Sequence, residues 1–378
     1  MSTIFPFNDE LRKNPSGEVF FAAMRQELEA LRSMPIGTFS PSDMPADEEP
    51  PADTSPVVSV VMTTYNHEHC LAQALESAVS QKMSVPFEIL VGEDCSPDNT
   101  LAIAQEFKAR YPQLIRLITA DRNCGPGNLP RLLLRARGKY VAILEGDDYW
   151  NSPDKLEMQY QGLEAHPECS WSASDTDKLY QCTGKTDPCS LRTRGLLDVA
   201  AHMGMRELML EDRFWLDTCT IFCRTEILQN AYLHNPLFPM RLRLLDLAIR
   251  LELSRHGKLF FIDQSLGTYR INTPGTSACR IKDPRRIMDF YLDSLLILCY
   301  YMPDVLTADE QRQLLWHYSS KICSFASMMH DPELVRRLKE FFGKIGFVPG
   351  RKEKTYLLAG SNRLFGGSLR IIRRWRGR

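Results

Sequence analysis

From residue 57 onward, short unbroken apolar runs alternate with amphipathic stretches. VVSVVM precedes 68–81, FEILVG precedes 98–111, LIRLIT precedes 128–137, and YVAILE precedes 153–166. Continuous Val, Ile and Leu without polar alternation suits strands covered on both faces, as in parallel sheets. The rhythm therefore predicts βαβα units and a mostly parallel sheet with helices on its faces. Ser96-Pro97-Asp98 and Ser152-Pro153-Asp154 predict two helix starts, each with a hydroxyl cap, a proline in the first turn and an acid for the helix dipole. Past 276 the spacing turns helical, over about 284–302, 308–329 and 332–345, with Asp331-Pro332-Glu333 opening the last.

Other segments break the rhythm. Residues 36–56 are crowded with Pro, Ser, Asp and Glu and read as a linker behind a helical stretch at 17–33. The expected organisation is a helix and linker over 1–56, an α/β domain over 57–275, a helical region over 276–350 and a basic amphipathic tail over 351–378. That tail holds nine Lys/Arg against one Glu, interleaved with residues such as Tyr356, Phe365, Ile371 and Trp375, and suits either a solvated tail or peripheral contact with an anionic membrane surface.

Composition narrows the function classes. With 44% hydrophobic and 25% charged residues, the 378-residue chain has enough apolar material for a large core, which excludes disorder, collagen and coiled-coil arrays as the main architecture. Lys+Arg of 46 against Asp+Glu of 47 gives no electrostatic argument for a nucleic-acid partner. The 11 cysteines include no Cys-x-x-Cys pair and read as reduced thiols. The first residues, MSTIFPFNDELRKNPSG, lack the apolar stretch of roughly 7–15 residues of a signal peptide. The longest compact apolar run, Leu295 to Met302, is shorter than the roughly 18–20 residues that span a bilayer. A cytoplasmic protein is expected, at the inner face of the cell membrane if the tail binds there.

In an open α/β sheet, ligands bind beyond the carboxyl ends of the strands. Here the first strand runs into Thr63, Thr64, Tyr65 and Asn66, the second into Glu93 and Asp94, and the fourth into Glu145, Gly146, Asp147 and Asp148. No G-x-G-x-x-G follows the first strand, which weighs against a dinucleotide enzyme. Clustered carboxylates raise one another's pKa unless a cation lies among them, and a hard divalent ion is the natural occupant. A lone Asp-Asp is more often a turn; three acidic strand ends together favour the site. His67 and His69, an i, i+2 pair on a loop, read as loop polarity, and Cys219 and Cys223 as packing. Arg131 reads as a solvated helix arginine before a phosphate ligand.

The segments VSVVMTTYNHEHCLAQALESAVSQ, FEILVGEDCSPDNT, NCGPGNLPRLLLRARGKYVAILEGDDYW and LRLLDLAIRLELSRHGKLFFIDQSLGTYRIN resemble, in order and spacing, successive motifs of the inverting family 2 glycosyltransferases of the GT-A fold. The resemblance covers about 57–275. It implies a Rossmann-like GT-A domain with an α-helical C-terminal extension and a nucleotide-sugar donor, most simply a UDP-sugar. It further implies Mn²⁺ or Mg²⁺, and transfer of a sugar with inversion to a hydroxyl of a glycan or lipid-linked acceptor in surface-polysaccharide synthesis.

Carried over by residue, the resemblance places Thr63 and Tyr65 at the nucleoside and Asp94, with Glu93 beside it, at the base. Glu145-Gly146-Asp147 falls at the D-x-D position, with Glu145 and Asp147 at the nucleotide and Asp147 with Asp148 at the metal. Asp246 matches the general base, with Glu211 and Asp212 as rivals. Arg270 is suited to phosphate. Asn272 stands where the family often has a metal-side His, so a nitrogen ligand from that position is lacking. Two alternatives remain open: a nucleotidyltransferase, which would want a glycine-rich basic loop where TTYNHEH stands, and a non-catalytic nucleotide-binding or scaffold relative.

Overall fold

The computed structural model describes residues 26, 55–211, 216–240, 242, 244–271, 283–344 and 348–361. The expected helix at 17–33 and nearly all of the 36–56 linker lie outside these residues, as do Asp212, Asn272 and the tail beyond Ser361. The chain divides into two compact units, with 55–271 in one and 283–361 in the other.

In the first unit the apolar runs become β1 (Val58–Thr64), β2 (Phe87–Glu93), β3 (Ile115–Ile118) and β4 (Tyr140–Glu145), and the stretches between and after them become α1 (Leu71–Val79), α2 (Thr100–Arg110), α3 (Asn128–Leu133) and α4 (Lys155–Ala165). Order β3-β2-β1-β4 is parallel throughout, with Val60 opposite Ile89 on one side and Ala142 on the other. Val58, Val60, Val61 and Met62 are wholly buried, as a strand covered on both faces demands. One core layer gathers Val60, Ile89 and Ala142 with Leu71, Leu75, Phe107, Leu156 and Leu163 from α1, α2 and α4.

Beyond β4 the sheet changes character. The remaining strands are β5 (Tyr149–Trp150), β6 (Cys169–Tyr180), β7 (Lys185–Asp187), β8 (Phe222–Arg224) and β9 (Lys258–Ile271). β8 is antiparallel to β4 and to β6, β9 runs parallel to β6, and β5 pairs antiparallel with β9. Among the described residues the sheet thus has nine strands, five of them beyond the parallel set and mostly joined by non-sequential pairings that apolar periodicity does not encode. Short helices α5 (Ser190–Thr193), α6 (Leu197–Ala201) and α7 (Met205–Leu210) follow β7, and α8 (Thr225–His234) and α9 (Leu245–His256) lie between β8 and β9. α9 is buried from Leu247 through Leu253, Arg250 and Glu252 included.

Both expected helix starts shift. α2 begins at Thr100, whose N–H is taken by Asp98 at 3.0 Å, while Ser96 Oγ accepts the distant Asn66 N–H at 3.1 Å. α4 begins at Lys155, with Ser152 Oγ accepting only the Asp154 N–H at 3.3 Å. In each case the Ser-Pro-Asp triplet folds as a turn before the helix.

The second unit is helical: α10 (Pro284–Tyr301), α11 (Ala308–Ala326), α12 (Pro332–Lys344) and α13 (Arg351–Ser361). Asp283 caps α10, Thr307 and Glu310 form a capping box on α11, and Asp331 accepts the Leu334 N–H at 3.0 Å at the start of α12. Met288, Leu295, Ile322, Leu338 and Phe341 form buried positions along these helices. α13 takes up the first part of the expected basic tail. No helix among the described residues is long and apolar enough to cross a membrane.

Candidate active site

The carboxyl end of β4 turns sharply, with the Asp148 N–H donating to the Glu145 carbonyl at 3.0 Å. Gly146 is required there, since a Cβ would stand 2.8 Å from Thr64 Oγ1 and 2.9 Å from His67 Nδ1. The turn brings Glu145, Asp147 and Asp148 together. Glu145 Oε2 is buried with no hydrogen-bond partner among the described residues. Burial first, then the Asp147 charge, push the Glu145 carboxyl up to about 8, with smaller contributions from Asp246 and Asp217. Asp148, 1% exposed, is likewise held well above the ordinary carboxylate range by burial and by Asp147 and Glu145, although it accepts the Arg270 N–H at 2.7 Å. That bond ties the β4 turn to β9.

Asp246 opens α9, a hundred residues along the chain, and its charge acts on Glu145. Its Oδ1 accepts the Leu247 N–H at 3.0 Å, and Oδ2 lies 3.4 Å from Arg250 Nη2. Arg250, 2% exposed, sends its other arm to the Leu216 carbonyl at 2.6 Å, so the guanidinium buttresses Asp246 from within the fold.

Several residues read from sequence prove to be occupied in building the site's walls. Glu93 accepts the N–H groups of Ser96 at 2.8 Å and Cys95 at 3.1 Å. Asp94 accepts those of Cys124 at 2.7 Å and Gly125 at 2.8 Å, which fastens the loop after β3 to the end of β2. Arg131 is 1% exposed and donates to the carbonyls of Thr119, Glu93 and Ile118. It is neither a solvated helix arginine nor directed at a phosphate. Arg270 donates through Nε to the Asp147 carbonyl at 2.7 Å, and through its two arms to Gln181 at 2.9 Å and Gln73 at 2.6 Å. Thr63 is half-buried near the end of β1, and Tyr65, just past the strand, is 39% exposed.

Two contributors, Asp217 and Lys178, were not singled out by sequence reasoning, and a third, His67, was set aside. Asp217, 3% exposed, is held by Thr176 and Lys178 of β6, and Lys178 lies over the Tyr269 ring at 4.3 Å. Asp217 acts electrostatically on Glu145 and Asp148, so it belongs to the acidic cluster. His67, set aside as loop polarity, faces Asp147, with Nε2 3.9 Å from Oδ1, and burial holds its pKa below the ordinary value. His69 is exposed and lies 3.4 Å from its neighbour Glu68. No spacing rule marks these residues; they converge through β6, the loop before β8 and the loop after β1. Cys219 and Cys223 are buried thiols, in keeping with packing.

A divalent cation fits this donor set. An orphaned buried carboxylate oxygen beside acids whose proton affinity is raised by burial and by one another is what a hard cation would relieve. Among the described residues no three His, Cys, Asp or Glu side chains form an ion cage of their own. Mg²⁺ and ions like it take one or two carboxylates and draw the rest from water and phosphate.

Residues 59–224 match the glycosyl transferase family 2 model. Over those residues the chain is similar to glycosyltransferase family 2. The mycobacterial uncharacterised protein Rv1520 of Mycobacterium tuberculosis is 42% identical over 112 residues, 29% of this chain and 32% of the relative. The glucosyltransferase WfgD of Escherichia coli, named for UDP-Glc and a GlcNAc-diphosphoundecaprenol acceptor, is 35% identical over 104 residues, 27% of this chain and 39% of the relative. The chain thus spans about a third of the length of the curated relatives it matches first. Residues 1–349 of Staphylococcus aureus TarS, solved with UDP-GlcNAc, align with a TM-score of 0.57 at 19% identity, over 83% of this chain and 91% of that one. That likeness establishes the GT-A fold with its helical C-terminal region.

Proposed function

We propose that the protein is an inverting, metal-dependent glycosyltransferase that moves a sugar from a UDP-sugar to a hydroxyl of a glycan or lipid-linked acceptor in cell-surface polysaccharide synthesis. The observation that carries the reading is the gathering of Asp246 with Glu145, Asp147, Asp148 and Asp217 at the end of β4, inside a family 2 domain. The UDP and the lipid-linked acceptor are supported by the ligand of TarS and the name of WfgD.

In this reading Asp147, with Asp148 behind it, holds Mn²⁺ or Mg²⁺, which when bound neutralises charge on the departing diphosphate. Tyr65 offers an exposed ring for the nucleoside beside Thr63, and Asp94 shapes the base side through the loop it fastens. Glu145 faces the ribose. Asp246 accepts the proton of the acceptor hydroxyl as it attacks the anomeric carbon from the face opposite the leaving group, which inverts the configuration. Arg250 keeps that carboxylate aimed. Arg270, already fixed to Asp147's carbonyl and to Asp148, sets the turn and brings positive charge to the phosphate side. The basic segment from 351 onward supplies peripheral contact with anionic lipid.

Thermal stabilisation by UDP, GDP, CMP and UDP-sugars, each with Mn²⁺ or EDTA, tests the donor side. Saturation at a hundred times Kd adds about 2.7 kcal/mol to stability. A rise in melting temperature with UDP compounds that disappears in EDTA supports the proposal. No rise with any nucleotide overturns it.

A further inference from the structure

His67 stands against the β4 turn outside the acidic set. Its backbone N–H donates to Thr100 Oγ1 at 2.8 Å, which anchors the loop after β1 to the start of α2. The ring packs against Gly146, where any Cβ would come within 2.9 Å of Nδ1. Nδ1 lies 3.2 Å from Thr64 Oγ1, and Thr64 is 1% exposed. A buried hydroxyl needs an acceptor for its proton. With Nδ1 as that acceptor, the neutral ring carries its hydrogen on Nε2. Nε2 faces Asp147 Oδ1 at 3.9 Å, too far for a hydrogen bond to the carboxylate itself. The arrangement therefore holds an N–H donor beside a carboxylate, oriented by a second residue.

The carboxylates around Asp147 repel an anionic oxygen brought there, and an N–H donor beside them offsets part of that repulsion. We propose that His67 Nε2–H binds a diphosphate oxygen of the nucleotide held at Asp147, fixing the leaving group. This rests on the donor reading above. His67 thus acts on the diphosphate and not on the nucleoside, and the Thr64 hydroxyl sets its tautomer.

The test compares dissociation constants for UDP and for uridine, with Mn²⁺ present, by titration of the full chain and its His67→Ala and His67→Gln variants. A hydrogen bond to a charged partner predicts that His67→Ala weakens UDP by about tenfold or more. Uridine affinity stays within about twofold, since the nucleoside does not reach the ring. His67→Gln, whose amide N–H reaches a similar point, recovers most of the loss. Equal losses for UDP and uridine would mean that His67 only shapes the loop, and an unchanged UDP affinity in His67→Ala also overturns the proposal. Where the alanine variant does not fold, the glutamine variant decides: UDP affinity within about threefold of the parent supports the donor role, and a larger loss overturns it. A parent chain that binds UDP while the variants behave alike rejects this inference alone. A parent that binds no nucleoside diphosphate rejects the donor reading and this inference with it.

Discussion

Glu145→Gln replaces a buried carboxyl by a neutral group of the same shape, and its effect on stability depends on pH. In the folded protein the carboxyl is pushed from 4.5 up to about 8. Between those values the folded chain holds a proton that the unfolded chain releases, so stability is greatest below about 4.5 and falls as pH rises towards 8. At 1.36 kcal/mol per pKa unit, the full shift corresponds to about 5 kcal/mol as an upper bound. Relaxation around the charge reduces this, and roughly 2–5 kcal/mol is expected. The glutamine variant has no such titration. Its melting temperature relative to the parent, measured in EDTA, rises from near zero difference at acidic pH to about 10 °C at pH 8.5, using about 2–4 °C per kcal/mol for a domain of this size. Asp148, which the Glu145 charge also raises, titrates in both proteins, so the difference reports Glu145 together with its effect on Asp148. A gap that stays constant within about 2 °C over this range would refute the reasoning, because it would mean that Glu145 is ionised and solvated at neutral pH.

Asp246→Asn is expected to lower kcat for sugar transfer by about 10²- to 10⁴-fold while UDP affinity is unchanged; equal turnover in parent and variant would remove Asp246 as the base. Lys155 is wholly buried, 4.3 Å from the Trp150 ring and 2.6 Å from Gln159, and burial lowers its pKa to about 7. Its unfolded form binds the proton more tightly, so parental stability rises as pH climbs from about 7 towards the ordinary lysine value. Lys155→Met is expected to abolish that rise, shown by flat against sloping denaturation midpoints; parallel slopes would contradict it. Gly146→Ala forces a Cβ to within 2.8 Å of Thr64 Oγ1 and is expected to cost about 1–3 kcal/mol in urea denaturation and to weaken UDP binding. An alanine variant equal to the parent in both respects would show that the turn is not tight.

Local pattern determined much of this protein. YVAILE coincides with β4, and the other three apolar runs meet their strands within a residue or two, because a strand covered on both faces must be apolar along its length. The acidic strand ends were legible for the same reason: the residues that follow each run must lie at the edge of the sheet where ligands bind. The helical C-terminal region followed from spacing and from caps such as Asp331, whose partner is three residues away.

Partner choice was decided only by tertiary structure. Glu93, Asp94 and Arg131 have the side chains of ligand-binding groups, yet backbone groups brought beside them by folding claim their hydrogen bonds. Ser96 left its helix-capping place because Asn66, thirty residues earlier, arrived with an unpaired N–H. Asp217, Lys178 and His67 joined the acidic site through long-range pairings of β6 and the loops around it. A residue's type and its neighbours in sequence set what it is able to bind; buried polar groups must all be satisfied, and the fold decides which distant group satisfies each.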